Sequence, residues 1–369
     1  MKPSLSRLKI GELATGQDLD LPIFQFIPEQ ISAPSVYIQA NVHGAEVQGN
    51  AVIYQLMQLL ESCELRGKIT LVPLANPLGI NQKSGEFTLG RFDPITGVNW
   101  NREYLDHQLD LDVWYASHRE LDDKALIHAY RQLLLEGCER RLQNGWGVTT
   151  GHRQAVSLQQ MGHEADIVLD LHTGPKSCKH LYCPEYDLAA AKWFSIPYTL
   201  AIPMDFGGAM DEAIFCPWWR LSEYLKSQGR DLSVPVSAFT LELGSQEHID
   251  LEDALKDAKG ILAYLSHRGV IAETVPAVQM TRQACYLKDY KKYHAPLGGM
   301  VEYKATVGQA LSAGQPLATI LRLDRYGSDN ALTSLSLEQD CVPILHFASA
   351  SVYQGTELYK VMTNLFELT

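Results

Sequence analysis

The feature that most constrains this chain is a set of short, continuously apolar runs: "SVYIQANV" (35–42), "ITLVPLA" (69–75), "ADIVLDL" (165–171), "YTLAIP" (198–203) and "VSAFTLEL" (236–243). A strand with one wet face alternates apolar and polar residues, whereas these runs read as strands covered on both faces. Between the first two lies "EVQGNAVIYQLMQLLESCELRG". There Ile53, Leu56, Met57 and Leu60 keep the spacing of one helix face, and Gly67 supplies a stop. A second helical pattern, "DLEDALKDAKGILAYLSHRG", follows the last run, with Asp250 as its cap and Gly269 at its end. Strand, helix, strand in this order predicts an α/β fold with a mixed, largely parallel sheet flanked by helices.

Two regions depart from this texture. Residues 103–160 are polar and helical in pattern, as in "HRELDDKALIHAYRQLLLEGCERRLQ", and are expected to form a helical insertion that walls or covers the sheet. His107, His118, His128, His152 and His163 belong to this polar stretch and are expected at the surface. After about residue 280 short alternating segments punctuated by glycine predict a small all-β domain, which divides the chain into 1–280 and 281–369. Within it "APLGGMVEYKATVGQALSAGQPLATI" resembles the first half of biotinyl and lipoyl carrier domains, a barrel-sandwich fold. The chain continues "LRLDRYG" where such a domain presents its modifiable lysine, so a carrier role is disfavoured.

Composition narrows the function by exclusion. A formal net charge of -12 argues against sequence-independent nucleic-acid binding, which needs a Lys/Arg surplus to displace phosphate counterions. No segment reaches the roughly 18 apolar residues of a membrane span, and the N-terminus reads as no signal peptide, so a cytoplasmic protein is expected. Seven cysteines without CxxC spacing fit reduced thiols.

In an open α/β sheet, ligands sit beyond the carboxyl ends of the strands. That rule alone selects Asn41 and His43 after the first run, Asn76 after the second, His172 after the third and Glu242 near the end of the fifth. His43 and Glu46 lie three apart on a turn entering a helix, a spacing that lets both reach one ion. An ordinary pair of helix-start residues has the same spacing. A distant histidine at another strand end favours the metal reading, because two imidazoles, one carboxylate and a position left for water make a usual catalytic zinc set. Asp170, two residues before His172 in a strand, points to the same side and is a candidate to orient that imidazole.

Taken in order, "HGAE" (43–46), "NWNR" (99–102), "DLHTG" (170–174) and "LELG" (241–244) resemble the motifs of the succinylglutamate desuccinylase/aspartoacylase family of the zinc carboxypeptidase-like superfamily. The resemblance spans most of residues 35–270. It implies one Zn2+ per chain on His43, Glu46 and His172, with Glu242 as the general base. It also implies Asn101 and Arg102 on the substrate carboxylate and Arg91 polarising the scissile carbonyl. Asn99 and Trp100 stand where the family pattern has an acidic and an aliphatic residue, and "DPITG" lengthens the path from Arg91 to Arg102. The implied activity is hydrolysis of the amide bond of an N-acyl amino acid, a small-molecule substrate, with no nucleic-acid or membrane partner and with homo-oligomerisation open. A metallocarboxypeptidase acting on short peptides and a catalytically silent binding protein are the alternatives.

Overall fold

The structure, a computed structural model, describes residues 1–368. All five apolar runs are strands of one ten-stranded sheet. In chain order its first members are an N-terminal hairpin, β1 (Ser4–Glu12) and β2 (Asp18–Phe26), then β3 (Val36–Ala40) and β4 (Ile69–Val72). β5 (Ile167–Gly174), β6 (His180–Pro184), β7 (Tyr198–Ile202), β8 (Ser237–Ser245) and β9 (Gln283–Tyr286) follow, and Phe366–Glu367 adds the far edge. The order across the sheet is β1-β2-β4-β3-β5-β8-β6-β7-β9, then Phe366–Glu367. β4, β3, β5 and β8 run parallel, as do β6, β7 and β9, while β8 meets β6 antiparallel. The fold is therefore the mixed, largely parallel α/β sheet that the runs predict.

Both faces are covered, which accounts for the unbroken hydrophobicity. On one face Ile167, Leu169 and Leu171 of β5 pack with Leu56 of α1 (Gln48–Leu60) and with Ile261 of the helix Leu251–His267. On the other, Val168 packs with residues of three further helices, Asp123–Leu142, Thr150–His163 and Met210–Ser227. Residues of β5 alternate between these two cores, so Asp170 and His172 share the second face with Val168.

The hairpin β1–β2 and strand β6 carry no such run, and only pairing to the sheet defines them. β1 is exposed over most of its length, as an edge strand of polar sequence can be. The polar stretch at 103–160 is no loose cover: Leu126, Tyr130, Leu134 and Cys138 bury one stripe of the long helix, and most of Thr150–His163 is buried. Two of its histidines correct the surface expectation, since His107 and His163 are only 5% and 1% exposed. His128 is exposed as expected, and His118 stacks on Trp114.

Beyond β9 the chain forms antiparallel sheets. One joins Tyr290–His294, Glu357–Met362 and Val342–His346 to the short strand Lys176–Ser177 that follows β5. The other joins Leu332–Ser336, Pro316–Leu321, Gly299–Tyr303 and Ser351–Val352. Pairing to Lys176–Ser177 seats the C-terminal sheets a few residues from His172. Among the described residues no helix is long and apolar enough to cross a membrane.

Candidate active site

The turn after β3 is built to hold its side chains. Asn41 takes the left-handed conformation (φ 70°), and its amide donates to the carbonyls of His43, Gly44 and Glu46 at 3.1, 3.2 and 3.3 Å. Gly44 is needed for space, since a Cβ there would lie 2.0 Å from the Gly79 carbonyl oxygen. Asn76 braces the same turn, donating to Val42 O at 2.8 Å and capping the short helix Pro77–Asn81 through Gly79 N–H at 2.7 Å. Asn41 and Asn76, both chosen by the strand-end rule, thus shape the backbone.

Glu46 lies between two imidazoles. Its Oε1 is 2.8 Å from His43 Nδ1 and its Oε2 is 2.7 Å from His172 Nδ1, all three residues being at most 4% exposed. The outer nitrogen of each ring is fixed by a different partner: His43 Nε2 by Asn99 Oδ1 at 2.8 Å, His172 Nε2 by Asp170 Oδ2 at 2.8 Å. Both Nδ1 atoms and the carboxylate therefore face one point, and this N2O donor set with oriented rings fits a divalent ion of zinc type. The rest of Asp170 is also spoken for. Its Oδ1 accepts from Gln39 at 2.9 Å, and Gln39 in turn bonds Tyr37 and Tyr104 at 2.9 and 3.2 Å.

Burial opposes protonation of His43 and outweighs the attraction of Glu46, so its pKa is lowered. For His172 burial acts the same way, but Asp170 and Glu46 together overcome it and hold the pKa high. Burial also works against a charged Glu46, yet the two histidines keep it ionised.

Glu242 faces His172 across the parallel pair β8–β5, where the two are register partners. It is half-buried, one of its carboxylate oxygens is buried without a hydrogen-bond partner, and desolvation followed by repulsion from Glu46 pushes its pKa up to about 7. These residues open on a cavity of about 610 Å3. Arg91, Asn101 and Arg102 line it, with Arg91 Nη1 3.1 Å from Glu46 Oε1 despite the added "DPITG". Arg102 lies along Gly208 of the glycine-containing loop after β7, where a Cβ would stand 2.9 Å from Arg102 Cδ. The seven residues to which the resemblance assigns a role, His43, Glu46, Arg91, Asn101, Arg102, His172 and Glu242, border this one cavity, whereas Asn41, Asn76 and Asp170 do not line it.

Several neighbours escaped the sequence. Asn99 occupies the position that looked like a departure from the pattern, and its side-chain oxygen serves His43 and the Asn101 N–H at once. Asp211, at the start of the helix Met210–Ser227, lines the cavity with its pKa pushed up to about 7 by burial and by Glu212. Glu357 and Lys360 reach the cavity from the C-terminal sheets, with Lys360 3.6 Å from Glu357 and within the electrostatic reach of Glu242 and Arg91. An acidic residue two positions before a strand-end histidine was a usable signal for Asp170. No local pattern announces Lys360.

The family model of the succinylglutamate desuccinylase/aspartoacylase catalytic domain matches residues 32–268. A solved protein of Shewanella frigidimarina NCIMB 400, ascribed to succinylglutamate desuccinylase/aspartoacylase, is 70% identical over 100% of this chain and 99% of its own, with a TM-score of 0.98. A family protein of Shewanella amazonensis SB2B is 69% identical over 99% and 100%, with a TM-score of 0.97. The product-bound ectoine utilization protein of Ruegeria pomeroyi shares the fold at 17% identity over 98% and 95%, with a TM-score of 0.66. No curated protein sequence matches the chain. With more than half of its length matched by the catalytic-domain model and near-complete likeness to two family structures, the chain belongs to the succinylglutamate desuccinylase/aspartoacylase family, deacylase-type hydrolases of amide bonds.

Proposed function

We propose that the protein is a zinc-dependent hydrolase that cleaves the amide bond of an N-acyl amino acid. The observation that carries this reading is the convergence of His43, Glu46, His172 and Glu242 on one cavity that also exposes two arginines. When bound by His43, Glu46 and His172, one zinc per chain supplies Lewis acidity and makes water a nucleophile near neutral pH. Glu242 accepts the proton of the attacking water and delivers it to the leaving nitrogen, a task suited to a carboxylate whose pKa lies near 7. Arg102, with Asn101 beside it, receives the amino-acid carboxylate, since a guanidinium grips a carboxylate through two parallel hydrogen bonds. Arg91 stabilises the charge that develops on the carbonyl oxygen. Asp170 and Asn99 hold the two imidazoles by their outer nitrogens.

In this reading residues 1–280 are the catalytic domain and 281–369 a β-rich domain that completes the cavity wall through Glu357 and Lys360. Lys360 adds a third cation for an acidic group of the substrate.

Replacing Glu242 by Gln tests the mechanism. Turnover of the best substrate from a panel of N-acyl amino acids and dipeptides should fall by about 10^2–10^4-fold, with zinc content unchanged by elemental analysis. Full activity in Glu242→Gln would overturn the role of the base. A dipeptide preference would move the reading to a metallocarboxypeptidase, and no turnover on either class to a binding protein.

A further inference from the structure

Away from the cavity, three residues able to ligate a metal meet in the apolar layer formed by the helices. His107 Nε2 stands 3.2 Å from His163 Nε2 and 3.8 Å from Cys138 Sγ, and the three ligand atoms all lie within 4.8 Å of one another. His107 is 5% exposed, His163 1% and Cys138 0%. An ion bound tetrahedrally, about 2.0–2.1 Å from nitrogen and about 2.3 Å from sulfur, requires nitrogen–nitrogen edges of about 3.3 Å and nitrogen–sulfur edges of about 3.6 Å. The two measured edges lie close to those values.

The surroundings hold these atoms in place. Gly137 sits inside the helix Asp123–Leu142, where glycine costs roughly 1 kcal/mol relative to alanine. A Cβ there would lie 2.7 Å from His107 Cε1, so the glycine makes room for that ring. Arg220 donates to His107 O at 3.3 Å and Arg131 to His163 O at 3.2 Å, anchoring both backbones. Gln159 is fixed by reciprocal bonds to Leu105, 2.7 Å from its N–H and 2.8 Å to its carbonyl, and its amide nitrogen lies 3.3 Å from His163 Nε2.

We propose that His107, Cys138 and His163 form a second, structural metal site that takes a divalent ion of the zinc class. Its chemistry differs from that of the cavity, because a thiolate replaces the carboxylate and no substrate can reach it. Such an ion ties the segment that begins at Arg102 to two helices, and His107 lies five residues beyond that arginine.

The test uses the full chain produced in zinc-depleted, cobalt-supplemented medium, so that the ion meets the protein as it folds. A near-ultraviolet thiolate-to-cobalt charge-transfer band is expected in the wild type and in His172→Ala, and is expected to vanish in Cys138→Ser and His163→Asn. The cavity cluster contains no sulfur, so failure of the zinc reading there leaves this signal untouched. Zinc analysis should give one ion per chain in His172→Ala and none in the His172→Ala, Cys138→Ser double variant. A cobalt-grown wild type without the band overturns the proposal, as does a band that persists in Cys138→Ser. If the cysteine variant fails to accumulate, the wild-type spectrum decides alone.

Discussion

The molecule carries two buried histidine clusters on the same face of its sheet, and they are built in opposite ways. Around His43 and His172 every ring nitrogen has a partner, the carboxylate between them is charged, and one side opens to a cavity of about 610 Å3. Around His107 and His163 the neighbours are a thiol, the Gln159 amide, a glycine and apolar helix faces, with one ring nitrogen unpartnered. The first arrangement spends polar contacts on aiming donors at a place where substrate can arrive. The second holds donors together inside a packing layer. Burial of histidine therefore marks neither function nor structure by itself; the neighbours and the access decide.

The sharpest way to break this comparison is to truncate one histidine from each cluster. His172→Ala should lose zinc from the cavity and essentially all turnover, by more than about 10^3-fold, since it removes the nucleophile-generating ion. His163→Asn should keep turnover within a few-fold while lowering the thermal midpoint, because large core changes typically cost 2–5 kcal/mol. Equal losses of activity in the two variants would erase the distinction.

A smaller effect is expected one shell out from the cavity. Asn99→Ala leaves His43 Nε2 without its partner, and losing such a group typically weakens metal affinity by 10–100-fold. Competition with a chromophoric chelator measures this directly. Unchanged affinity would mean that Asn99 positions Asn101 alone.

The smallest effect concerns charge in the metal-free protein. Glu242 has a folded pKa of about 7 against an ordinary 4.5, so the folded state binds its proton more tightly than the unfolded chain. Its contribution to stability is therefore full below about pH 4.5 and is lost as pH rises toward 7. Glu242→Gln cannot lose it. After chelation, the stability of Glu242→Gln relative to wild type should rise by about 1–2 kcal/mol between pH 5 and pH 8 in denaturant titrations. Parallel pH profiles for the two proteins would show that Glu242 is not held protonated.

Much of the cavity was legible because it is assembled at strand ends. His172 and Glu242 close continuous apolar runs, and His43 with Glu46 follows one at a spacing of three. His107 and His163 were misjudged because the long helix that packs over them reads as polar, and His107 itself lies in an irregular stretch with no periodicity to read. The long helix buries only a residue every fourth position, Leu126, Tyr130, Leu134 and Cys138, and hides the rest among charges. Asn99 read as a mismatch in a motif, although its amide oxygen can fill the place of an acceptor carboxylate on His43.

By itself the sequence determined the sheet, the two helices that cover one of its faces, and the residues offered to its carboxyl edge. Those follow from local periodicity and from the rule that strands buried on both sides must be apolar throughout. Only the tertiary structure decided which distant groups complete each site: Asn99 on His43, Gln39 on Asp170, Lys360 at the cavity wall and His107 beside His163. Such pairings join residues up to hundreds of positions apart, and what fixes them is the strand order, the helix packing and the need of each buried polar atom for a partner. No short stretch of sequence encodes these.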